Sequence, residues 1–99
     1  MKKVGEHLYI IQSAVTGAVK IGRSNDVDKR LKQLQTGSSY RLVLLASFES
    51  QGHMEAFLHK KFERYKSSMQ GEWFTHYCLP NLPDWMYEKL PFDDMWWKQ

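Results

Sequence analysis

The chain has 99 residues, and at the usual prior of roughly 100–200 residues per domain we expect one domain over residues 1–99. With 42% hydrophobic and 25% charged residues, the composition is that of a folded globular protein rather than a disordered one. A lone cysteine, Cys78, excludes an intramolecular disulfide framework and a cysteine-based zinc site, and is typical of a reducing compartment. No apolar run approaches the ~20 residues of a membrane helix, and no signal peptide is evident, so we expect a cytoplasmic protein without a membrane partner.

The charge is distributed unevenly along the chain. Residues 1–70 carry twelve Lys and Arg against six Asp and Glu, whereas residues 71–99 carry two against five. A basic body favours a polyanionic partner, and nucleic acid is the commonest polyanion of the cytoplasm. Charge alone does not separate nucleic-acid binders from other small basic proteins.

The first predicted element is a β-hairpin. Residues 7–12 and 18–22 are rich in β-branched and aromatic side chains and flank a loop of about four residues. We expect a register in which Tyr9 lies directly opposite Lys20. A phenol and an ammonium group would then share one face of the sheet.

The next predicted element is a helix over residues 27–35. It follows N-capping residues at 24–26 and ends before Gly37. Its apolar side chains recur at helical spacing: Val27, Leu31 and Leu34. Arg30 lies beside this stripe, so we expect it to point toward the hairpin.

A third strand and a second helix follow. Residues 41–48 predict a buried strand, and residues 53–65 predict an amphipathic helix. Glu55 borders the apolar stripe of that helix, and His59 lies one turn further on. Both side chains would face a site at the rim of the core.

The end of the chain is aromatic and acidic. A short strand is predicted within residues 71–77, and prolines limit the tail, residues 78–99, to a helical turn or two around 83–90. The tail either folds back over the sheet or forms a dimer contact, because aromatic residues are enriched at interfaces. The predicted fold class is α+β, a small three-stranded antiparallel sheet flanked by helices, with a short extra strand and this tail.

Four side chains from different predicted elements carry the candidate chemistry: Tyr9, Lys20, Arg30 and Glu55. They suit phosphodiester cleavage. A neighbouring cation favours the phenolate of a tyrosine, which would make Tyr9 a usable base, and the fork of an arginine matches phosphate oxygens. A single carboxylate is compatible with Mg²⁺, which keeps several waters and also binds substrate phosphate.

The order and spacing of five short motifs resemble the GIY-YIG nuclease superfamily, in particular its phage and bacterial branch, in which the second motif reads KIG. The motifs span residues 6–77 and are Leu8-Tyr9-Ile10-Ile11, Val19-Lys20-Ile21-Gly22-Arg23-Ser24, Arg30-Leu31-Lys32-Gln33-Leu34, Glu55 with His59, and Gly71-Glu72-Trp73-Phe74.

This resemblance implies an enzyme, an endonuclease that hydrolyses DNA with one Mg²⁺ or Mn²⁺ ion. Tyr9 stands at the position of the general base, and Lys20 at the second motif's tyrosine. Arg30 stands at the phosphate-contacting arginine, and Glu55 at the metal-binding glutamate.

Arg23 and His59 are two further candidate substrate-binding residues. Arg23 is three residues from Lys20, so its side chain points to the opposite face of the strand, but it could swing toward DNA. His59 either orients Glu55, contacts phosphate or closes the core edge. A homodimer or a partner protein would supply sequence specificity. The alternative function is a non-catalytic nucleic-acid- or protein-binding module on the same scaffold, such as a phage accessory protein.

Overall fold

An antiparallel sheet forms the centre of the protein, seen in a computed structural model that describes residues 5–67 and 73–91. The elements are β1 (His7–Ser13), β2 (Val19–Ser24), α1 (Val27–Thr36), β3 (Leu42–Phe48), α2 (Met54–Lys61), a 3₁₀ helix (Glu63–Tyr65), β4 (Trp73–Phe74), a second 3₁₀ helix (His76–Asn81) and α3 (Asp84–Tyr87). The strand order is β3-β1-β2-β4. The predicted α+β class is confirmed, with three main strands and one short extra strand.

The register of the β1–β2 hairpin differs from the predicted one. Tyr9 pairs with Gly22, and Lys20 pairs with Ile11, so the prediction that Tyr9 lies directly opposite Lys20 is wrong. The shift is two residues, which preserves the alternation of side chains between faces. Tyr9 and Lys20 therefore still share a face, as diagonal neighbours.

The turn of the hairpin explains this register. The Ser13 amide donates to the Ala18 carbonyl at 2.9 Å, and the Ser13 hydroxyl accepts from the amides of Val15 and Thr16 at 3.3 and 3.1 Å. Gly17 adopts a φ of 80°, a conformation that glycine adopts without a steric penalty. The loop is thus longer than predicted, and the second strand begins later.

Helix α1 matches its prediction closely. The Asp26 carboxylate caps it by accepting from the Lys29 amide at 3.1 Å, and the Gly37 amide closes it on the Gln33 carbonyl. Its apolar stripe covers one face of the sheet, called here the α1 face, where these side chains pack together: Tyr9, Ile11, Val27, Leu31, Leu34, Leu42 and Leu44.

A bulge in β3 allows that strand to serve both faces of the sheet. Leu44 pairs with Ile11 and Ala46 with Ile10, which leaves Leu45 as an extra residue. Leu42 and Leu44, before the bulge, therefore pack on the α1 face, whereas Ala46 and Phe48, after it, pack on the opposite face. This is why the apolar run does not alternate with period two.

Helix α2 and the end of the chain cover the opposite face, called here the α2 face. Helix α2 is shorter than predicted, because the predicted stretch continues as a 3₁₀ turn. The α2 face holds the larger apolar cluster, which includes Leu8, Ile10, Val19, Ile21, Leu58, Phe62, Phe74, Cys78, Leu79, Leu82, Met86 and Leu90. Burial raises the pKa of the Cys78 thiol to about 12.

The tail folds back over the sheet as far as residue 91. Leu82, Met86 and Leu90 are 4%, 0% and 4% exposed, and the Trp85 ring meets Phe48 edge-on at 5.7 Å between centroids. This confirms the first of the two predicted arrangements for residues 78–91. Residues 92–99 of the predicted aromatic tail lie outside the described residues.

The predicted short strand is confirmed where it is described. Trp73 and Phe74 pair with Lys20 and Val19 of β2, and residues 71–72 lie outside the described residues. None of the helices within residues 5–67 and 73–91 has the length and apolar character needed to span a membrane.

Candidate active site

The Tyr9 ring lies across Gly22 on the α1 face. A Cβ atom at position 22 would fall 2.5 Å from Cζ of Tyr9 and 3.0 Å from Cε1, so the absence of a side chain at Gly22 lets the ring lie across β2. Tyr9 itself is 2% exposed. The pairing of a tyrosine with a glycine, rather than with the lysine, therefore positions the candidate base.

Lys20 lies on the same face, between two register partners. Ile11 is its neighbour on β1, and Trp73 is its neighbour on β4. Only 8% of Lys20 is exposed. A cationic side chain is thus held within the sheet, diagonal to Tyr9.

Arg30 comes from α1, the helix that covers this face. It is half-buried, and its Nη1 lies 3.4 Å from Oε1 of Gln33. The carboxylate of Asp26, one turn earlier, is engaged in capping the helix. Three of the predicted site residues thus lie on the α1 side of the sheet.

Glu55 approaches from the α2 side. Its Oε1 lies 3.5 Å from Nε of Arg23, and Oε1 of Glu6 lies 3.4 Å from the same nitrogen. The guanidinium is therefore held between two carboxylates rather than standing free for substrate. Such partly exposed pairs are worth at most about 1 kcal/mol, so an incoming phosphate can compete for Arg23.

Glu6 was not among the predicted site residues, and a close approach of the backbone explains its position. The Gly52 amide donates to the Glu6 carbonyl at 2.7 Å, and a Cβ at Gly52 would fall 2.7 Å from that oxygen. Nearby, Ser50 has a φ of 60°, and its amide donates to Nδ1 of His7 at 3.2 Å. The turn before α2 is thus fastened to the start of β1, which places Glu55 beside Glu6.

His59 lies against the outer edge of β2. Its Nε2 is 2.6 Å from the Ile21 carbonyl, and because the carbonyl accepts, His59 donates. Its ring also lies 5.2 Å from that of Phe74, between centroids. Of the three predicted roles, the structure supports closing the core edge, whereas orienting Glu55 and contacting phosphate stay predictions.

A groove opens beside Glu55 and His59. Its volume is about 530 Å³. The charged side chains lining it are of both signs: Glu55, Glu63, Lys60 and Lys66.

The predicted residues do not lie on one face, but Tyr9, Glu55 and His59 contact three consecutive residues of β2. The Tyr9 ring covers Gly22, Glu55 pairs with the adjacent Arg23, and His59 binds the carbonyl of Ile21. Within the described residues, β4 pairs with Val19 and Lys20 but not with this segment. The outer edge of β2 at residues 21–23 is therefore contacted from both sides of the sheet.

The carboxylates near this edge fit a particular kind of metal site. Among the described residues, no group of three or more His, Cys, Asp or Glu side chains could enclose a metal ion. Glu55 offers one hard oxygen donor group. That donor set fits Mg²⁺, which keeps waters and is bound through one or two carboxylates plus substrate phosphate.

Comparison with known proteins gives one match. The model of the T5orf172 domain matches residues 6–86, a range that contains Tyr9, Lys20, Arg30 and Glu55. No curated protein and no solved structure matches the chain. Since the matched range covers well over half of the 99 residues, the chain belongs to the T5orf172 domain family, a domain found in phage and bacterial proteins, some of them related to GIY-YIG-type nucleases.

Proposed function

We propose that this protein is a divalent-metal-dependent endonuclease of the GIY-YIG type, which hydrolyses phosphodiester bonds in DNA. The observation that carries the proposal is that Tyr9, Glu55 and His59 contact three consecutive residues of β2, at positions 21–23. Membership of the T5orf172 family supports it, because some proteins with this domain are related to such nucleases.

In the proposed reaction, a water oxygen attacks phosphorus and the bond to the leaving sugar oxygen breaks. The hydroxyl oxygen of Tyr9 takes the proton from that water, with the Lys20 cation on the same face favouring negative charge on the phenol. Arg30 donates N–H groups to the non-bridging phosphate oxygens. Glu55 would hold a Mg²⁺ or Mn²⁺ ion, which stabilises the charge that develops on the phosphate and the leaving oxygen.

The burial of Tyr9 restricts how a phosphate can approach. Because the side chain is 2% exposed, we propose that the attacking water reaches the hydroxyl from the side of Gly22, which itself carries no side chain. Among residues 21–23, Arg23 is the cation that can bind the phosphate once its ion pairs with Glu6 and Glu55 break.

The proposed partners are DNA and, for sequence specificity, a second copy of the chain or another protein. A cytoplasmic location stays a prediction.

The same burial favours one alternative function. Tyr9 and Lys20 are 2% and 8% exposed, as expected of side chains that stabilise a scaffold. On that basis the protein would be a non-catalytic module that binds nucleic acid or protein.

Incubation of supercoiled plasmid with Mg²⁺ or Mn²⁺ separates the two functions. We expect nicking that EDTA abolishes and that Tyr9→Phe reduces about 10²–10⁴-fold, the usual contribution of a general base. Glu55→Gln should also lose activity, whereas Glu63→Gln, a matched change in the same groove, should retain it. Nicking that persists in Tyr9→Phe and Glu55→Gln contradicts the proposal, and plasmid binding without nicking supports the non-catalytic module.

A further inference from the structure

A second groove lies on the α1 face, at the C-terminal end of α1. Its volume is about 410 Å³, and its lining includes Leu34, Leu42, Trp73, Tyr40, Ser38 and Ser39. Leu34, Leu42 and Trp73 belong to the apolar cluster of the α1 face. Tyr40 is 42% exposed, so the groove combines aromatic walls with hydroxyl groups at its rim.

This groove adjoins the proposed catalytic groups. Trp73 is the direct register partner of Lys20, and such partners have Cβ atoms about 4.5–5.5 Å apart. Leu34 lies one helical turn after Arg30, on the same side of α1. A chain whose phosphate contacts Arg30 therefore brings its neighbouring nucleotide toward this groove.

The charge around the groove favours a polyanion. Residues 29–48, which supply most of its lining, contain four Lys and Arg and no Asp or Glu. The other end of α1 has the opposite charge, because a separate groove there is lined by Asp26, Asp28 and Glu49. The anionic backbone of DNA is thus favoured beside residues 29–48 and disfavoured beside Asp26, Asp28 and Glu49.

We propose that the groove beside Trp73 binds an unpaired nucleobase by stacking, so that the preferred substrate is DNA with a single-stranded segment next to the cut. Cleavage of such DNA rests on the proposed nuclease function, whereas the binding of a base rests only on the groove. Aromatic side chains stack on any base, but a base inside a duplex is already stacked and paired and has to be extruded first. The substrate class is therefore forked, gapped or otherwise partly unpaired DNA rather than intact duplex.

The test measures binding in EDTA, so that no cleavage is needed. Two labelled oligonucleotides of equal length, a fork with unpaired arms and a blunt duplex, are titrated with protein and followed by fluorescence anisotropy. We expect the fork to bind more tightly. Trp73→Leu should weaken fork binding about 5- to 150-fold, the usual value of one stacked base, and should leave duplex binding nearly unchanged.

Matched variants control for general effects of losing an aromatic ring. Trp85→Leu removes an indole from the α2 side, where it contacts Phe48, and should leave the fork preference intact. Tyr40→Ala should weaken fork binding, whereas Tyr77→Ala, at a residue 67% exposed elsewhere, should not. Ser39→Phe places a ring in the groove without removing a core contact and should also weaken fork binding, so the test does not depend on Trp73→Leu folding.

Equal binding of fork and duplex by the natural protein would overturn the inference, as would equal effects of Trp73→Leu and Trp85→Leu in folded proteins. A fork preference that depends on Trp73, in a protein that cleaves neither plasmid nor fork with Mg²⁺ or Mn²⁺, would uphold the base site and overturn the nuclease. Nicking without a fork preference would uphold the nuclease and overturn the base site.

Discussion

Gly22→Ala tests the placement of Tyr9 most sharply. Gly22 pairs directly with Tyr9, and a methyl group there would fall 2.5 Å from Cζ of the tyrosine. Ordinary contacts of this kind begin near 3.4 Å, so the ring has to move by roughly 1 Å within a packed face. The hydroxyl, the candidate base, moves with it.

The size of the effect follows from two opposing contributions. Overpacking a core costs about 1–3 kcal/mol, whereas replacing glycine by alanine inside a strand gains about 0.5–1 kcal/mol. We expect a net loss of about 1 kcal/mol in the free energy of unfolding, within a range of about 0–2.5 kcal/mol. At about 4–8 °C per kcal/mol for a domain of this size, a loss of about 1 kcal/mol lowers the Tm by about 4–8 °C.

Thermal and urea unfolding of four proteins measure this: the natural chain, Gly22→Ala, Tyr9→Val and the double variant. In the Tyr9→Val background the ring is gone, so Gly22→Ala should become stabilising by about 0.5–1 kcal/mol. Gly5→Ala is the control, because a Cβ there meets nothing within 4 Å. If Gly22→Ala has the same effect in both backgrounds, Tyr9 does not lie over Gly22 and the register is wrong.

Three further predictions concern stability and reactivity. Because burial raises the pKa of Cys78 to about 12, its thiol should react with a disulfide reagent at pH 8 only in denaturant. Stability should also fall above pH 9, because the thiol then ionises in the unfolded chain but not in the folded one. Equal thiol reactivity with and without denaturant would contradict this prediction. Burial lowers the pKa of His76, so stability should fall as the pH drops below about 6.5, and His76→Gln should reduce that fall in urea midpoints at pH 7.5 and 5.5. Leu58 is 0% exposed and Phe57 is 55% exposed. Leu58→Ala should therefore lower the free energy of unfolding by about 2–5 kcal/mol, and Phe57→Ala by under about 0.5 kcal/mol. Similar losses for the two variants would contradict the orientation of α2.

Helix α1 was predictable because its signals are local. Helix α1 follows from the spacing of Val27, Leu31 and Leu34, together with a capping aspartate and a terminal glycine. Each of these signals acts within one or two helical turns. The same holds for the sheet class, which needs only the strand patterns and not their exact pairing.

The hairpin register was not predictable from the same evidence. Registers that differ by two residues place the same side chains on the same face, so apolar patterning cannot choose between them. The choice depends on the hydroxyl of Ser13 and on the left-handed Gly17 in the turn. The predicted pairing was wrong, but its main consequence, a shared face for Tyr9 and Lys20, survived because the error was an even number of residues.

Long-range contacts account for what the sequence did not reveal about the site. Glu6 reaches Arg23 because Leu8 pairs with Arg23, which leaves Glu6 diagonal to it. Glu55 joins them because the β3–α2 turn is fastened to Glu6 by the close approach at Gly52. Helical periodicity placed Glu55 at the edge of an apolar stripe but gave no information on which face of the sheet α2 covers. The position of Glu55 on the side opposite Tyr9 follows from tertiary packing.

The most direct measurement is the single-turnover cleavage rate of one DNA substrate by the natural protein, Tyr9→Phe, Glu55→Gln and the double variant. Residues that act on one phosphate lose activity non-additively, so each single change should reduce the rate at least about 10²-fold and the double variant should be little slower than the slower single one. Rate losses that multiply in the double variant, or a Tyr9→Phe protein that cleaves at the natural rate, would contradict a common site formed from both sides of the sheet.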